Sequence, residues 1–297
     1  MSDGSRSSTP TRRECLLGAA SAAAGLVLGV NARRAAAAAA SAGIKVGMCD
    51  WSLQHRDVSA FEWARRIGLD GVEVSVGYPA DKLRLRQPAV QKEYLAAARR
   101  YGVAIPSVAM GVLNEVPLMS EPRAAIWLAD TIEVARNLGA RCILVAFFGK
   151  GELKEENGTD MQRVIDVLAE LAPRAEQAGV ILGLESYLTA AANRKIIDAV
   201  NSRAVQVYYD VYNANHAGHD YLKEIRQLGG DRICQVHFKN GPDLLEKPGI
   251  DWPGVVAALR EVKYPRWIVL ETSSPKDLVA DTQANLKYVR RLFGAGS

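Results

Sequence analysis

Histidine and cysteine are both scarce in this 297-residue chain, with four of each. No cysteine stands in a Cys-x-x-Cys spacing. Cys49, Cys142 and Cys234 each lie inside or at the end of an apolar run, an odd and unpatterned set that reads as packed core thiols rather than a disulfide framework. No Gly-x-Gly-x-x-Gly follows any β-prone run, which argues against a dinucleotide-binding turn. No Pro/Gly/Ser-rich linker divides the chain beyond residue 43, and no apolar run reaches the ~20 residues that a membrane span needs. What is present is ordinary globular composition, 48% hydrophobic and 24% charged, at a length that suits one large α/β domain.

The N-terminus carries an export pattern rather than a folding pattern. Thr11-Arg12-Arg13-Glu14-Cys15-Leu16-Leu17 sets paired arginines before an apolar, small-residue run over 16–30, and an Ala-rich stretch over 35–42 offers cleavage sites. It resembles a twin-arginine leader, so residues 1–42 are expected to be read by the twin-arginine export machinery and removed near Ala40 to Ala42. An Ala-rich N-terminal helix or membrane anchor is the alternative. Export implies a periplasmic or extracellular location, and removal implies no stable membrane association afterwards. Five arginines and two acids go with the leader, leaving residues 43–297 close to neutral. That balance gives no electrostatic case for nucleic acid or for an anionic membrane.

From residue 43 onward, short apolar β-prone runs alternate with longer amphipathic segments. The expected strands are 44–49, 71–76, 103–108, 141–146, 181–185, 205–210, 233–237 and 267–271, and helical patterns include 91–101, 124–138, 161–178 and 252–262. Gly68, Gly139 and Gly179 each close a helical pattern just before a strand, where a left-handed residue ends a helix. Near-continuous apolar strands each followed by a helix indicate a parallel sheet covered by helices. Eight such units point to a single-domain (β/α)8 TIM barrel, with a doubly wound sheet as the alternative.

In such a barrel the strand C-termini form the open, functional face. Strand five ends in Glu185, strand six in Asp210, strand seven in His237 and strand eight in Glu271. Singly, each has an ordinary explanation: a cap or turn, a Lys or Arg partner, a satisfied core histidine. A carboxylate at the end of a buried strand is costly unless paired, hydrogen-bonded or bound to a cation, and four consecutive strands end this way. Three carboxylates and one imidazole make a hard, oxygen-rich shell suited to one divalent ion, Mn²⁺ first, with Mg²⁺, Co²⁺ and Zn²⁺ left open.

Several motifs then fall in order: Asp70-Gly71-Val72-Glu73-Val74, Leu184-Glu185, Asp210-Val211-Tyr212-Asn213, His237-Phe238-Lys239-Asn240, Pro248-Gly249-Ile250-Asp251-Trp252, and Tyr264 to Glu271. Together they resemble the xylose-isomerase-like sugar isomerases and epimerases, a superfamily that contains ketose 3-epimerases, hydroxypyruvate isomerase and inosose dehydratase. The resemblance implies Glu185, Asp210, His237 and Glu271 as metal ligands and Glu185 and Glu271 as the proton-transfer pair. It implies a small carbohydrate partner.

Trp51, Glu73, Met110, Phe147, Tyr187, Asn213, His216 and Lys239 are expected to shape the pocket. For the aromatics and Met110 a packing role is an equal alternative, for Glu73 a salt bridge with a barrel Lys or Arg, and for Lys239 neutralisation of the carboxylates. His219 is expected in solvent. The segments after strands seven and eight, Asn240-Gly241-Pro242-Asp243 and Thr272-Ser273-Ser274-Pro275, form no clear phosphate cradle, so a non-phosphorylated carbohydrate is expected.

Isomerisation or epimerisation through an enediolate is one reading. The same enolising chemistry followed by loss of a leaving group, on a 3-keto-glycoside or an inosose, is the other. A multi-zinc nuclease of the same superfamily needs histidines on early strands, and none ends strands one to four here. A non-catalytic carbohydrate-binding barrel and a homo-oligomer both remain open.

Overall fold

Glycine in the left-handed conformation closes the helices where the sequence places it, with φ of 96° at Gly68, 72° at Gly139 and 67° at Gly179. A computed structural model describes residues 44–294; the expected leader lies outside them. The elements run β1 (Val46–Cys49), α1 (Ser59–Ile67), β2 (Gly71–Ser75), α2 (Pro88–Tyr101), β3 (Ser107–Met110), α3 (Pro122–Leu138), β4 (Cys142–Ala146), α4 (Gly158–Ala178) and β5 (Ile181–Glu185). They continue with α5 (Ala190–Val200), β6 (Val205–Asp210), α6 (Val211–His216), α7 (Tyr221–Leu228), β7 (Ile233–Phe238), α8 (Trp252–Glu261), β8 (Ile268–Leu270) and α9 (Leu278–Leu292). All pairings are parallel and sequential, and β8 returns to β1, so the sheet closes into a single-domain TIM barrel. No helix among the described residues is long and apolar enough to cross a membrane.

Strand β3 lies further along the chain than its apolar pattern predicts. Val103 and Ile105 are buried, but exposed Ala104 makes only an isolated bridge to Gly71. Pro106 then interrupts the ladder because it has no N–H to donate. The strand proper starts at Ser107.

Two kinds of core follow from side-chain alternation along each strand. Outward residues such as Val72, Val108, Ile143, Leu182 and Val236 pack under the helices, whereas Ala109, Cys142, Leu144, Ala146, Tyr208 and Cys234 form a small cluster of their own. All three described cysteines are free and buried, as the sequence suggests.

A bulge modifies this alternation on β7. Val207 pairs with Ile233 but Tyr208 pairs with Gln235, so Cys234 is an extra residue. Consecutive side chains therefore reach the barrel interior, the Cys234 thiol lying 3.2 Å from that of Cys142 and the Gln235 amide bonding Ser107 and Tyr208. Bulges recur beside functional sites because they re-aim side chains, and here the pairing above the bulge sets Asp210 beside His237.

Gly183 makes room for this crowding. A Cβ there would stand 2.5 Å from the Cys234 sulfur and 3.1 Å from Tyr208 Cβ. Gly183→Ala is expected to destabilise the fold by about 1–3 kcal/mol, the usual cost of overpacking. Urea unfolding of the variant beside the parent checks this.

Candidate active site and metal centre

Each candidate ligand is placed by backbone structure. Glu185 and Asp210 are the last residues of β5 and β6, His237 is the penultimate residue of β7, and Glu271 follows β8 directly, its N–H donating to Phe238 O at 3.0 Å. The structure brings all four together. Each offers one ligand atom, and these atoms lie within 4.8 Å of one another. Ligands on one ion at about 2.0–2.2 Å stand at most ~4.4 Å apart, so a divalent ion needs only a small inward adjustment.

Asp210 has two roles at once. Its Oδ1 accepts from Asn213 N at 2.7 Å, capping α6, and its buried Oδ2 has no hydrogen-bond partner among the described residues. The Lys239 ammonium stands 3.1 Å from that oxygen as an ion pair, without hydrogen-bond alignment. A buried carboxylate oxygen in that state suits a cation. The donor set, three carboxylates and an imidazole, thus fits a hard divalent ion.

His237 is wholly buried and uses both ring nitrogens. Nδ1 lies 3.0 Å from Glu185 Oε1, 3.5 Å from Glu271 Oε2 and 3.7 Å from Asp210 Oδ2. Nε2 lies 3.0 Å from Glu73 Oε1 on the other side. Burial disfavours its charge, but Cys49, Glu185 and Glu73 around it push its pKa well above the usual value.

The two glutamates sit in opposite electrostatic settings. Burial raises Glu185 to about 7, against the lowering influence of His237. Burial would also raise Glu271, but His237, Lys239 at 2.7 Å and the Trp51 Nε1–H at 3.1 Å together hold it below the ordinary carboxylate value. Pairs of groups pushed apart in this way separate acid from base. Lys239 is in turn raised by Asp210 and Glu271 in spite of its burial.

Linkage gives a stability prediction for the metal-free protein. A Glu185 that binds its proton more tightly folded than unfolded stabilises the fold below about pH 4.5, and that contribution is lost as pH rises towards 7. Glu185→Gln removes this titration, so the difference in unfolding free energy between variant and parent should shift in the variant's favour between pH 4.5 and 7. Chemical denaturation across that window in the presence of a chelator measures it.

A cavity of 170 Å³ opens at this end of the barrel, with Glu185 and Glu271 in its wall beside Trp51, Phe148 and Tyr78. A second cavity, 520 Å³, lies on the far side of Trp51 and Glu271, bordered by Lys239, Tyr212 and the 272–274 segment. The other expected pocket residues divide. Trp51 and Lys239 are in the site. Tyr187 packs edge-on against Phe148, with ring centroids 4.9 Å apart, and exposed His216 stacks on Tyr212. Asn213 is buried and meets Asp210 through its backbone N–H. His219 is half-buried beside Glu224 rather than in solvent.

Glu73 does not face the cavity. It is 0% exposed beneath the histidine, and no Lys or Arg pairs with it among the described residues. Met110 and Phe147 are fully buried in the larger core. Alternation on β4 turns Ala146 inward, so Phe148 is the aromatic that reaches the cavity; counting by twos from Ala146 would have found it. Arg56 and Tyr78 also line it from loops, and Asn114 from a short 3₁₀ turn over Gly111–Asn114, segments that carry no periodic signal.

These features define a (β/α)8 barrel with a carboxylate–imidazole centre at the C-terminal ends of its strands. The chain belongs to the xylose isomerase-like TIM barrel family, whose sequence model matches residues 61–292. Among curated proteins it is similar to a 2-epi-5-epi-valiolone 7-phosphate 2-epimerase from an Actinoplanes species, 28% identical over 258 residues, covering 83% of this chain and 94% of that one. Solved structures share the fold: D-psicose 3-epimerase from Clostridium cellulolyticum H10 with D-tagatose has a TM-score of 0.72 and 19% identity, covering 84% of this chain and 99% of that one. A 3-keto-D-glucoside 4-epimerase from E. coli follows with a TM-score of 0.68 and 17% identity, covering 84% and 99%.

Proposed function

We propose that the protein is a sugar epimerase or isomerase that needs one divalent metal ion and acts on a non-phosphorylated carbohydrate by moving a proton α to a carbonyl. The convergence of Glu185, Asp210, His237 and Glu271 at the wall of a small cavity is the observation that carries this reading. Epimerase relatives in sequence and in fold support it. When bound by these four residues, the ion supplies polarisation of the carbonyl and charge stabilisation for the enediolate, a role for which Mn²⁺ is our first choice.

The chain's own residues supply the proton traffic. Of Glu185 and Glu271, one removes the proton and the other returns one from the opposite side of the reacting carbon. The glutamates stand three strands apart around the ring, on β5 and after β8, as addressing two faces of one carbon requires. Reversal of the reaction exchanges their roles. Trp51 and Phe148 supply apolar surface that limits water beside the reacting atoms.

The curated relative is named for a phosphorylated substrate, but here Lys239, the cation beside the ligand cluster, is already shared between two carboxylates. The larger cavity beyond Trp51 and Glu271 favours a second reading, in which the enolised substrate carries a glycosidic leaving group that it accommodates. This is lyase chemistry on a 3-keto-glycoside or inosose. The export pattern over residues 1–42 suits extracytoplasmic sugars in either case.

A single screen separates these readings. Free ketoses, their phosphates and 3-keto-glycosides are incubated in D₂O with Mn²⁺ and with chelator, and deuterium entry and products are read by NMR. Metal-dependent deuterium entry into a free ketose with epimer formation supports the main reading, and release of an aglycone supports the second. Sugar binding without any exchange would leave a carbohydrate-binding barrel.

A further inference from the structure

The geometry points to Glu73 as a positioning residue that fixes which nitrogen of His237 carries the proton and so aims the Nδ1 lone pair at the metal. The inference rests on the metal-dependent reading of the site and adds to it a residue with no exposure to substrate.

Proton bookkeeping carries it. Gln235 Nε2 can only donate, and it reaches Ser107 Oγ at 2.7 Å and Tyr208 OH at 2.9 Å. Both hydroxyls therefore accept from Gln235 and must send their own protons elsewhere. Both send them to Glu73 Oε2, at 2.5 Å from Ser107 and 2.6 Å from Tyr208. The other oxygen, Oε1, accepts from the Cys49 thiol at 3.4 Å, the shorter of that sulfur's two contacts, the other being His237 Nε2 at 3.5 Å, and Oε1 itself lies 3.0 Å from Nε2. With two hydroxyl donors on one oxygen and a thiol on the other, Glu73 has only acceptor capacity left for the imidazole. Nε2 is thus the protonated nitrogen.

Nδ1, on the opposite edge of the ring, then carries the proton that a binding ion would displace, and its lone pair would point towards the side where Glu185, Asp210 and Glu271 gather. A metal ligand must have that pair free, and a carboxylate behind the ring raises its basicity. The Tyr208 ring beside the imidazole, centroids 4.6 Å apart, and Trp51 edge-on at 6.3 Å hold the plane of the ring.

Cys49, Glu73 and His237 also form a group dense enough to suggest a second ion. The same bookkeeping argues against it, because Glu73's oxygens are already taken by hydroxyl and thiol protons. One ion per chain is the consequence.

The test is made on the full-length chain with Mn²⁺ as the probe, its affinity measured by chelator competition and its stoichiometry by elemental analysis. The parent binds one ion, and Glu73→Gln binds it about 10–100-fold more weakly, the usual loss when the outer partner of a ligating histidine is removed. Tyr208→Phe, which keeps the ring and deletes one of the two hydroxyl donors, shows a smaller loss in the same direction and serves if Glu73→Gln does not fold. In the Mg²⁺-loaded parent, ¹⁵N-histidine NMR, simplified by only four histidines in the chain, shows His237 protonated on Nε2, and Tyr208→Phe or Glu73→Gln shifts that resonance. Unchanged affinity and unchanged resonance in the folded variants overturn the role given to Glu73, as do two ions per parent chain. A parent that binds no ion overturns the metal-dependent reading as well, so the two failures are distinguishable.

Discussion

Replacing Glu185 or Glu271 by glutamine is expected to lower turnover of the accepted sugar by about 10²–10⁴-fold, the range for loss of a positioned general acid or base. Glutamine keeps the shape and a metal-facing oxygen but cannot exchange a proton. Each variant also loses a ligand charge, so the comparison is made at saturating metal, where a loss of kcat reflects proton transfer rather than an empty site. A two-base mechanism leaves a further signature. The variant that retains one glutamate should still exchange the proton of the epimer which that glutamate faces, while producing almost none of the other epimer. Exchange and epimerisation followed together by NMR in D₂O reveal the split, and equal epimerisation by parent and both variants would remove the glutamates from the mechanism.

Stripping the metal should abolish activity and lower the melting temperature, and re-addition should restore both. Glu185 and Asp210 are buried carboxylates whose pKa values burial raises, and Asp210 Oδ2 lacks any hydrogen-bond donor among the described residues. A divalent ion would relieve that arrangement and, by binding only the folded chain, would stabilise it by roughly 2.7 kcal/mol at about 100 times Kd. For a domain of this size that corresponds to a rise of about 5–10 °C, read by thermal unfolding with and without Mn²⁺. Asp210→Ala should lose this metal response and, in addition, cost about 1 kcal/mol without metal, because the same side chain caps α6. Equal melting temperatures for loaded and stripped parent would exclude a tightly bound ion.

Much of the site could be read from the chain because strand ends are local features. Glu185 and Asp210 close β5 and β6 as their apolar runs predict, and Glu271 follows β8 directly. The ordinary explanations for two of them are also true: Asp210 caps a helix, and Glu271 pairs with Lys239. The proposed functional role and the observed structural one fall on the same side chains, so the structural contacts do not argue against the proposed role.

The misreadings share a cause. Glu73 sits in the middle of the apolar run of β2, and the sequence places it at the substrate, but what it meets depends on Ser107, Tyr208, Gln235 and His237, which lie 34 to 164 residues away. Phe147 and Phe148 are neighbours of like chemistry, and only the inward turn of Ala146 decides which one reaches the cavity. Arg56 and Tyr78 reach it from loops and Asn114 from a single 3₁₀ turn, where periodicity carries no information.

By itself, then, the amino-acid order determined the alternation of strand and helix, the closed barrel and the four ligand types at consecutive strand ends, because apolar period and helix-stopping glycines are properties of short segments. The tertiary structure decided the rest: the bulge at Cys234, the burial of Glu73 behind His237, and the orphaned Asp210 oxygen facing the cluster. Those depend on how strands register around a closed ring, and register is set by packing between residues far apart in the chain.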